Sequence, residues 1–315
     1  MGDLPDVGDV LRRVTIFAGR PLRHQPIEGG LSHQIWRVDA GGRSYVLRVL
    51  DPAVSAAGLG IPPLQEIENT VLAAASGAGA RVIEVLREVP ALILEFLPGR
   101  TLATPDVRAA ATIPRIAAGC RRLHAGQRFA NDFDIVEKQR ELLDICAKHD
   151  LAPPEGYAER LSAVDDMRDA LAARPLPTRP CHNDLLPANL VDVAGDIRIV
   201  DYQLSGNNDP AFELGDVAAE ADFDPDRTDA LTAAYFGAET VPALAARVRL
   251  NQVLSDTVWT LWFCVHHGLL SAPGSTFDYQ AEAAGKWARA VRGLDDPGLG
   301  KLIDAVAGRR TTDHP

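Results

Sequence analysis

The segment from His182 to Asp201 constrains the fold more strongly than any other part of the sequence. It begins with the pattern His-x-Asp-x-x-x-x-Asn, and Asp201 follows that asparagine after twelve residues, at the end of an apolar run. Between the two lies the turn-forming tripeptide Ala194-Gly195-Asp196 with a β-rich run on each side, which predicts a short hairpin. Because a hairpin folds the chain back on itself, we expect Asp184, Asn189 and Asp201 to lie in one small volume.

Three oxygen-bearing side chains grouped in this way are what phosphoryl transfer requires. One carboxylate orients the acceptor hydroxyl and takes its proton, while an amide oxygen and a second carboxylate hold Mg²⁺, a hard cation that prefers oxygen ligands. The alternative explanation is local: Asp184 and Asn189 would cap a turn, and Asp201 would only end a strand. That explanation serves each residue alone, but the joint spacing disfavours it for all three.

The charge balance of the chain excludes a general role in nucleic-acid binding. Its 315 residues include 32 basic and 43 acidic side chains, a formal net charge of −11, whereas neutralising phosphates needs a basic surface. No apolar run approaches the ~18 residues of a membrane span, so we expect no membrane partner. Residues 1–10 lack the basic and apolar regions of an export signal, and we expect a cytoplasmic location. The sequence leaves a homodimer open.

The order of the predicted elements divides the chain into a small α+β lobe, residues 1–98, and a larger, mostly helical lobe, residues 99–315. Alternating patterns in the first lobe predict a hairpin over 35–50 and strands over 82–86 and 91–96, with a helix from Leu64 to Ser76. In the second lobe we predict one helix over 107–124, a hairpin over 190–201, and helices over 133–149, 157–174, 214–220, 226–235, 242–267, 279–291 and 297–307. A cleft between two lobes is a usual place for a ligand.

Two stretches carry a resemblance to a known family, CHNDLLPAN at 181–189 and IVDYQLSGNNDPAFELGDVAAE at 199–220. They resemble the aminoglycoside phosphotransferase and choline kinase-like branch of the protein-kinase fold, and within it the choline/ethanolamine kinases. The resemblance spans residues 27–279 and implies a two-lobed protein kinase-like fold with a sheet-plus-helix lobe before a helical one. It also implies that Asp184 is the catalytic base, that Asn189 and Asp201 bind Mg²⁺, and that ATP is the co-substrate.

The resemblance extends to the nucleotide-binding elements of the first lobe. Glu28-Gly29-Gly30-Leu31-Ser32 lies where the family has its phosphate loop, and glycines such as Gly29 and Gly30 let backbone amides approach phosphates closely. Arg48 stands where protein kinases have a strand lysine, and its partner on the helix is predicted to be Glu68, with Glu66 as a rival. Leu94 to Pro98 matches the lobe hinge, so backbone groups around Glu95 and Leu97 are expected to hold adenine.

The features that select the acceptor lie near the carboxyl end of the chain. Trp259 and Trp262 share one helix face, and Tyr279 follows in a Phe-Asp-Tyr turn that is similar to the choline kinases. In that family, aromatic rings of these elements surround a quaternary ammonium, which cannot donate hydrogen bonds and is bound by ring faces and carboxylates. Glu220 is the candidate carboxylate, with Asp222 beside it. The alternative is that both tryptophans are ordinary core residues.

Two departures from the family pattern bear on the acceptor. Gln203 stands where many choline kinases carry glutamate, and Leu186 replaces a polar residue of the catalytic loop. We therefore predict an ATP-dependent kinase of choline or ethanolamine, with an aminoglycoside or another amino alcohol or sugar as the alternative acceptor. A non-catalytic kinase-like sensor is the rival from another class, and the intact trio Asp184, Asn189 and Asp201 speaks against it.

Overall fold

A computed structural model describes residues 4–27, 32–271 and 277–309, and its first lobe is built on one antiparallel sheet. Its strands are β1 (Leu22–Pro26), β2 (Gln34–Ala40), β3 (Arg43–Val49), β4 (Val82–Leu86) and β5 (Ala91–Glu95). They lie in the order β1-β2-β3-β5-β4 across the sheet. The predicted hairpin β2–β3 is confirmed, and its tight turn is made by Gly41 and Gly42, which both have positive φ.

Each face of this sheet packs against a helix. On one face, α1 (Val7–Arg13) covers a core that includes Val38 and Leu47. On the other face, α3 (Pro63–Ser76) packs Ile67 against Leu50 and Leu92, as the predicted helix requires. The helix ends at Gly77, which adopts the left-handed conformation that favours glycine.

The chain leaves the sheet after β5 and at once joins the second lobe. A two-residue strand, β6 (Arg100–Thr101), pairs with β8 (Leu190–Val193), which pairs with β9 (Asp196–Ile199) in the predicted second hairpin. The sequence Leu97-Pro98-Gly99 therefore lies at the crossing between the two sheets. The division of the chain at residue 98 stays a prediction.

Helices make up most of the second lobe. Besides α2 (Pro52–Ala56), which belongs to the first lobe, the remaining elements are α4 (Thr104–Arg108), α5 (Ile113–His124), α6 (Ile135–Lys148), α7 (Leu161–Ala173), β7 (Arg179–Cys181), β10 (Gly206–Asn208), α8 (Pro210–Glu220), α9 (Pro225–Phe236), α10 (Pro242–Leu269), α11 (Tyr279–Leu294) and α12 (Leu299–Ala307). The 28-residue α10 runs through the middle and packs against α6, α8, α11 and α12. No helix in the described ranges has both the length and the apolar composition that crossing a bilayer requires.

Three local predictions were wrong or incomplete. The single helix expected over 107–124 is two helices: the chain is extended at Ala109, and Pro114, in the first turn of α5, has no amide to bond to the carbonyl of Ala110 as a continuous helix would require. The edge strand β1 was not predicted, since most of its side chains are exposed and show no alternation. The short helices α1 and α2 and the short strands β6, β7 and β10 were also missed.

Candidate active site

A cavity of about 640 Å³ lies between the sheet lobe and the helical lobe. Its wall contains most of the residues that the sequence singled out, namely Ser32, Arg48, Glu95, Leu97, Asp184, Asn189, Asp201, Glu220, Trp259 and Trp262. Gly29 and Gly30 lie outside the described residues. Glu68 and Tyr279 are described but do not line this cavity. The structure thus brings three clusters predicted from distant parts of the chain to one site.

Buried acidic residues of α8 hold the loop that carries Asp184. The carboxylate of Glu213, itself fully buried, accepts hydrogen bonds from the backbone amides of His182 at 2.9 Å and Asn183 at 2.7 Å. One turn later, Asp216 accepts from the amide of Leu185 at 2.6 Å. These hydrogen bonds fix the backbone on both sides of Asp184.

His182 braces the same loop rather than entering the cavity. Its Nε2 donates to the carbonyl of Val200 at 2.9 Å, and its Nδ1 accepts from the amide of Asp184 at 3.2 Å. Burial lowers the pKa of this imidazole, consistent with a neutral ring that donates at one nitrogen and accepts at the other. The ring therefore ties the Asp184 loop to the strand end that precedes Asp201.

Asp184, Asn189 and Asp201 all line the same cavity. The amide Nδ2 of Asn189 donates to the carbonyl of Asp184 at 2.8 Å, which orients its Oδ1 away from that bond. Asp201 has φ +72°, an uncommon conformation for an aspartate that turns the chain sharply after β9. This donor set fits Mg²⁺, a hard cation that prefers oxygen ligands.

The charges around Asp184 and Asp201 also favour a bound cation. Burial raises the pKa of Asp184 well above its ordinary value, and the carboxylates of Asp216, Glu220 and Asp201 raise it further. For Asp201, burial works in the same direction, but the adjacent Arg48 guanidinium outweighs it and lowers the pKa to about 2. A bound cation would stabilise the ionised form of Asp184.

Arg48 joins the strand β3 to this acidic region. Its guanidinium is buried and pairs with Asp201 and with Glu66 on α3, at 2.9 and 3.1 Å for the two contacts with Glu66. The prediction that Glu68 is the helical partner was therefore wrong. Glu68 lies half-exposed on the outer face of α3 and pairs with Arg87 at 3.6 Å, because two residues along a helix change the direction of a side chain by about 200°.

His33 is a further member of this pairing that sequence reasoning did not identify. Its Nδ1 accepts from the backbone amide of Asp51 at 3.0 Å, so its Nε2 carries the proton and donates to Glu66 at 3.2 Å. Glu66, only 1% exposed, thus receives hydrogen bonds from two sides. Its carboxylate orients the Arg48 guanidinium toward the cavity.

Glu95 and Leu97, at the crossing between the two lobes, also line the cavity. The carboxylate of Glu95 accepts from the backbone amide of Arg81 at 2.8 Å and lies 3.8 Å from Arg198. The side chain of Glu95 is therefore engaged by the protein. That backbone groups around Glu95 and Leu97 hold adenine stays a prediction.

Aromatic residues of α10 form the wall near Asp184. Trp259 and Trp262 are largely buried and still line the cavity, together with Phe263. Each indole nitrogen has a partner inside the protein: Trp259 donates to Asp216 at 2.9 Å, and Trp262 donates to the carbonyl of Leu59 at 3.0 Å. The two rings are thus both core residues and cavity wall, so the two interpretations of the sequence were not exclusive.

The structure corrects two further acceptor-site predictions. Tyr279 stacks on His266 with ring centroids 4.3 Å apart and lies 6.3 Å from Phe263, behind the cavity wall. Asp222 is half-exposed and pairs with Arg108 and Arg292 on the surface. Both changes arise because packing between helices, rather than position along the chain, decides which side chains reach the cavity.

Glu220 lines the cavity, as predicted, but it has a partner that the sequence analysis missed. Its carboxylate pairs with the ammonium of Lys286, which is almost completely buried on α11. The signal was present: Lys286 lies on the same helical face as the apolar Ala283, Trp287 and Ala290. Phe263 was also missed, although it directly follows Trp262.

Comparison with known proteins gives a consistent picture. Residues 23–250 match the phosphotransferase enzyme family, APH. Protein LicA of Haemophilus influenzae is 24% identical over 250 residues, which cover 74% of this chain and 70% of LicA. The choline/ethanolamine kinase of Rattus norvegicus is 26% identical over 221 residues, 63% of this chain and 55% of the rat protein, so the match spans about half of that relative.

A solved structure is similar over both lobes. A choline/ethanolamine kinase family protein from Mesorhizobium loti superposes with a TM-score of 0.81 at 27% sequence identity. The superposition covers 95% of this chain and 97% of that one. The predicted two-lobed kinase-like architecture is therefore confirmed.

Proposed function

Because the chain belongs to the phosphotransferase enzyme family and is thus an enzyme that transfers phosphate to an alcohol, we propose that it transfers the γ-phosphate of ATP to the hydroxyl of choline or ethanolamine. One observation supports this proposal best. The cavity that contains Asp184, Asn189 and Asp201 continues into a wall made of Trp259, Trp262, Phe263 and Glu220. Phosphoryl-transfer groups and a site for a small organic cation are therefore contiguous.

In the proposed reaction, Asp184 accepts the hydrogen bond of the acceptor hydroxyl and takes its proton as the hydroxyl attacks in line. Asn189 and Asp201 would hold Mg²⁺, which neutralises charge on the phosphates when it is bound. Arg48, oriented by Glu66, directs its guanidinium toward phosphate oxygens. The loops around Asp184 are already fixed by Glu213, Asp216 and His182, so little reorganisation is required there.

The acceptor end of the cavity suits a methylated or simple ammonium better than a polyhydroxylated one. An ammonium without hydrogen-bond donors is attracted by the faces of aromatic rings and by nearby carboxylates. Trp259, Trp262 and Phe263 offer such rings, and Glu220 offers the carboxylate. Leu186 and Leu204 complete an apolar lining. An aminoglycoside would instead need many hydrogen-bond acceptors.

The proposal is tested by measuring ADP release from ATP·Mg²⁺ by the purified protein with choline, ethanolamine and several aminoglycosides. We expect turnover of choline or ethanolamine, and a fall in kcat of about 10²–10⁴-fold in Asp184→Asn, because that variant lacks the general base. Asp226→Asn, an exposed aspartate at the start of α9, is the matched control and keeps wild-type turnover.

Other outcomes point to other functions. Turnover confined to aminoglycosides would replace the proposed acceptor with an amino sugar. If calorimetry shows ATP·Mg²⁺ binding but no acceptor is phosphorylated, the proposal fails and a kinase-like sensor becomes the better explanation.

A further inference from the structure

A lysine of the protein itself lies against the acceptor end of the cavity. The side chain of Lys286 is 3% exposed, and its ammonium pairs with the Glu220 carboxylate. The same ammonium lies 5.7 Å from the ring centroid of Phe263. Glu220 and Phe263 both line the cavity. An ammonium held by a carboxylate and an aromatic ring is the arrangement that an amine-bearing acceptor would itself seek at this wall.

The charges near the acceptor end of the cavity make Lys286 the counter-ion of Glu220. Asp256, on α10, is bound by Arg289 through contacts of 2.7 to 3.2 Å, and the charges of both Arg289 and Lys286 favour its ionised form. Among the described residues, Lys286 is the base that bonds to Glu220. Burial opposes the charged form of Lys286, but Glu220 and Asp256 outweigh it and raise the pKa, so the ammonium stays protonated.

This pairing changes what Glu220 offers to an acceptor. A carboxylate without a counter-ion attracts a cation strongly in a partly buried site, whereas one that is already paired has most of its charge neutralised. An incoming ammonium would therefore share Glu220 with Lys286. The contribution of Glu220 to recognition is then smaller, and contact with Trp259, Trp262 and Phe263 contributes a larger share.

We propose that Lys286 is a specificity-determining residue of the acceptor site, where its ammonium neutralises Glu220 and limits how strongly the site prefers a cationic over a neutral acceptor. Lys286 does not line the cavity, so it acts through Glu220 as a positioning and charge-balancing residue. The inference rests on the proposed function. It adds that acceptor selection depends on shape and aromatic contact more than on net charge.

The test compares choline with 3,3-dimethylbutan-1-ol, a neutral alcohol of the same shape in which carbon replaces the charged nitrogen. The readout is the ratio of the two kcat/KM values. In Lys286→Met, which keeps an unbranched apolar stem, we expect the ratio to rise about tenfold, because the acceptor's charge becomes the counter-ion of Glu220. Lys286→Arg keeps the charge and a ratio near that of wild type. Lys301→Met, at an exposed position of α12, is the surface control.

Two further variants test the same charge pair if Lys286→Met does not fold. Glu220→Gln leaves the Lys286 ammonium without its partner, and we expect the ratio to fall about tenfold because that charge repels choline but not its neutral isostere. The double variant Glu220→Gln/Lys286→Met removes both charges and brings the ratio back toward wild type. A purely structural role for Lys286 would lower both kcat/KM values together.

The outcomes separate this inference from the function on which it rests. A ratio that stays constant in Lys286→Met and Glu220→Gln overturns the inference while leaving a choline kinase in place. A wild-type protein that phosphorylates neither choline nor ethanolamine overturns the proposed function, and the inference with it.

Discussion

Glu66 and Glu68 lie on the same helix, α3, but differ in burial and in their partners. Glu66 is buried and receives bonds from Arg48 and His33, whereas Glu68 is half-exposed. We expect Glu66→Gln to lower kcat/KM for ATP by at least about tenfold, because charge-assisted bonds that orient a buried guanidinium are lost. Glu68→Gln is the matched control and should change it less than twofold, as exposed pairs contribute little. Equal losses in steady-state assays would contradict this role.

Glu213 links the stability of the fold to pH. Burial alone would raise its pKa, but hydrogen bonding and charge from His124 outweigh burial and hold it below the ordinary glutamate value. A carboxyl whose pKa is depressed in the folded state stabilises at neutral pH, and that contribution disappears as pH falls through the folded pKa. We expect Glu213→Gln to lower Tm at pH 7, and the difference in Tm from wild type to become smaller below about pH 4. A difference in Tm that grows in acid would contradict the stabilising role of ionised Glu213.

Among the elements, α8 and α10 approach so closely that only glycine fits between them. A Cβ at Gly215 would lie 2.7 Å from the backbone of Asn251 and Gln252. Gly215→Ala must therefore separate two helices that carry Asp216, Glu220, Trp259 and Trp262, and we expect it to destabilise by ~1–3 kcal/mol in urea unfolding and to reduce turnover.

The control for this helix contact is Gly285→Ala on the exposed side of α11. A Cβ there meets nothing closer than 4.0 Å. Because alanine loses less backbone entropy than glycine in a helix, we expect this variant to gain ~0.5–1 kcal/mol and to keep its turnover. If Gly215→Ala were equally stabilising, the close packing of α8 on α10 would not matter to the fold.

At the scale of the whole molecule, Gln203 joins the two lobes at the cavity. Its amide Nε2 donates to Ser32 at 3.1 Å and to the carbonyl of Leu59 at 2.8 Å, the same carbonyl that accepts from Trp262. A glutamate here could not donate to that carbonyl and would place a carboxylate against it.

We expect Gln203→Glu to destabilise the protein by ~1–3 kcal/mol, the usual result of facing a buried polar group with the wrong partner. The KM for the acceptor should rise as well, because Trp262 donates to the Leu59 carbonyl, which Gln203 would no longer hold in place. Gln280→Glu, at an exposed position near the start of α11, makes the same change without effect. Unfolding curves and acceptor kinetics on both variants test this prediction. A Gln203→Glu protein with the stability and acceptor KM of wild type would show that the hydrogen bonds of Gln203 do not join the lobes.

The sequence alone predicted what depends on residues close together in the chain. Asp184, Asn189 and Asp201 lie within twenty residues around a short hairpin, so their spacing was enough to group them. The hairpin β2–β3 and the helix α3 were predicted for the same reason, because turn chemistry and hydrophobic periodicity are local properties. The family resemblance, carried by residues 181–220, was confirmed together with the kinase-like fold.

The tertiary structure decided what depends on which faces of distant elements meet. The choice of Glu66 over Glu68 follows from the face of α3 that packs on the sheet. The exclusion of Tyr279 follows in the same way from how α10 and α11 pack. Lys286 reaches Glu220 across 66 positions of sequence, and no periodicity encodes such a pair. Local patterns specify elements and short-range clusters, whereas contacts between elements depend on the packing of the entire core.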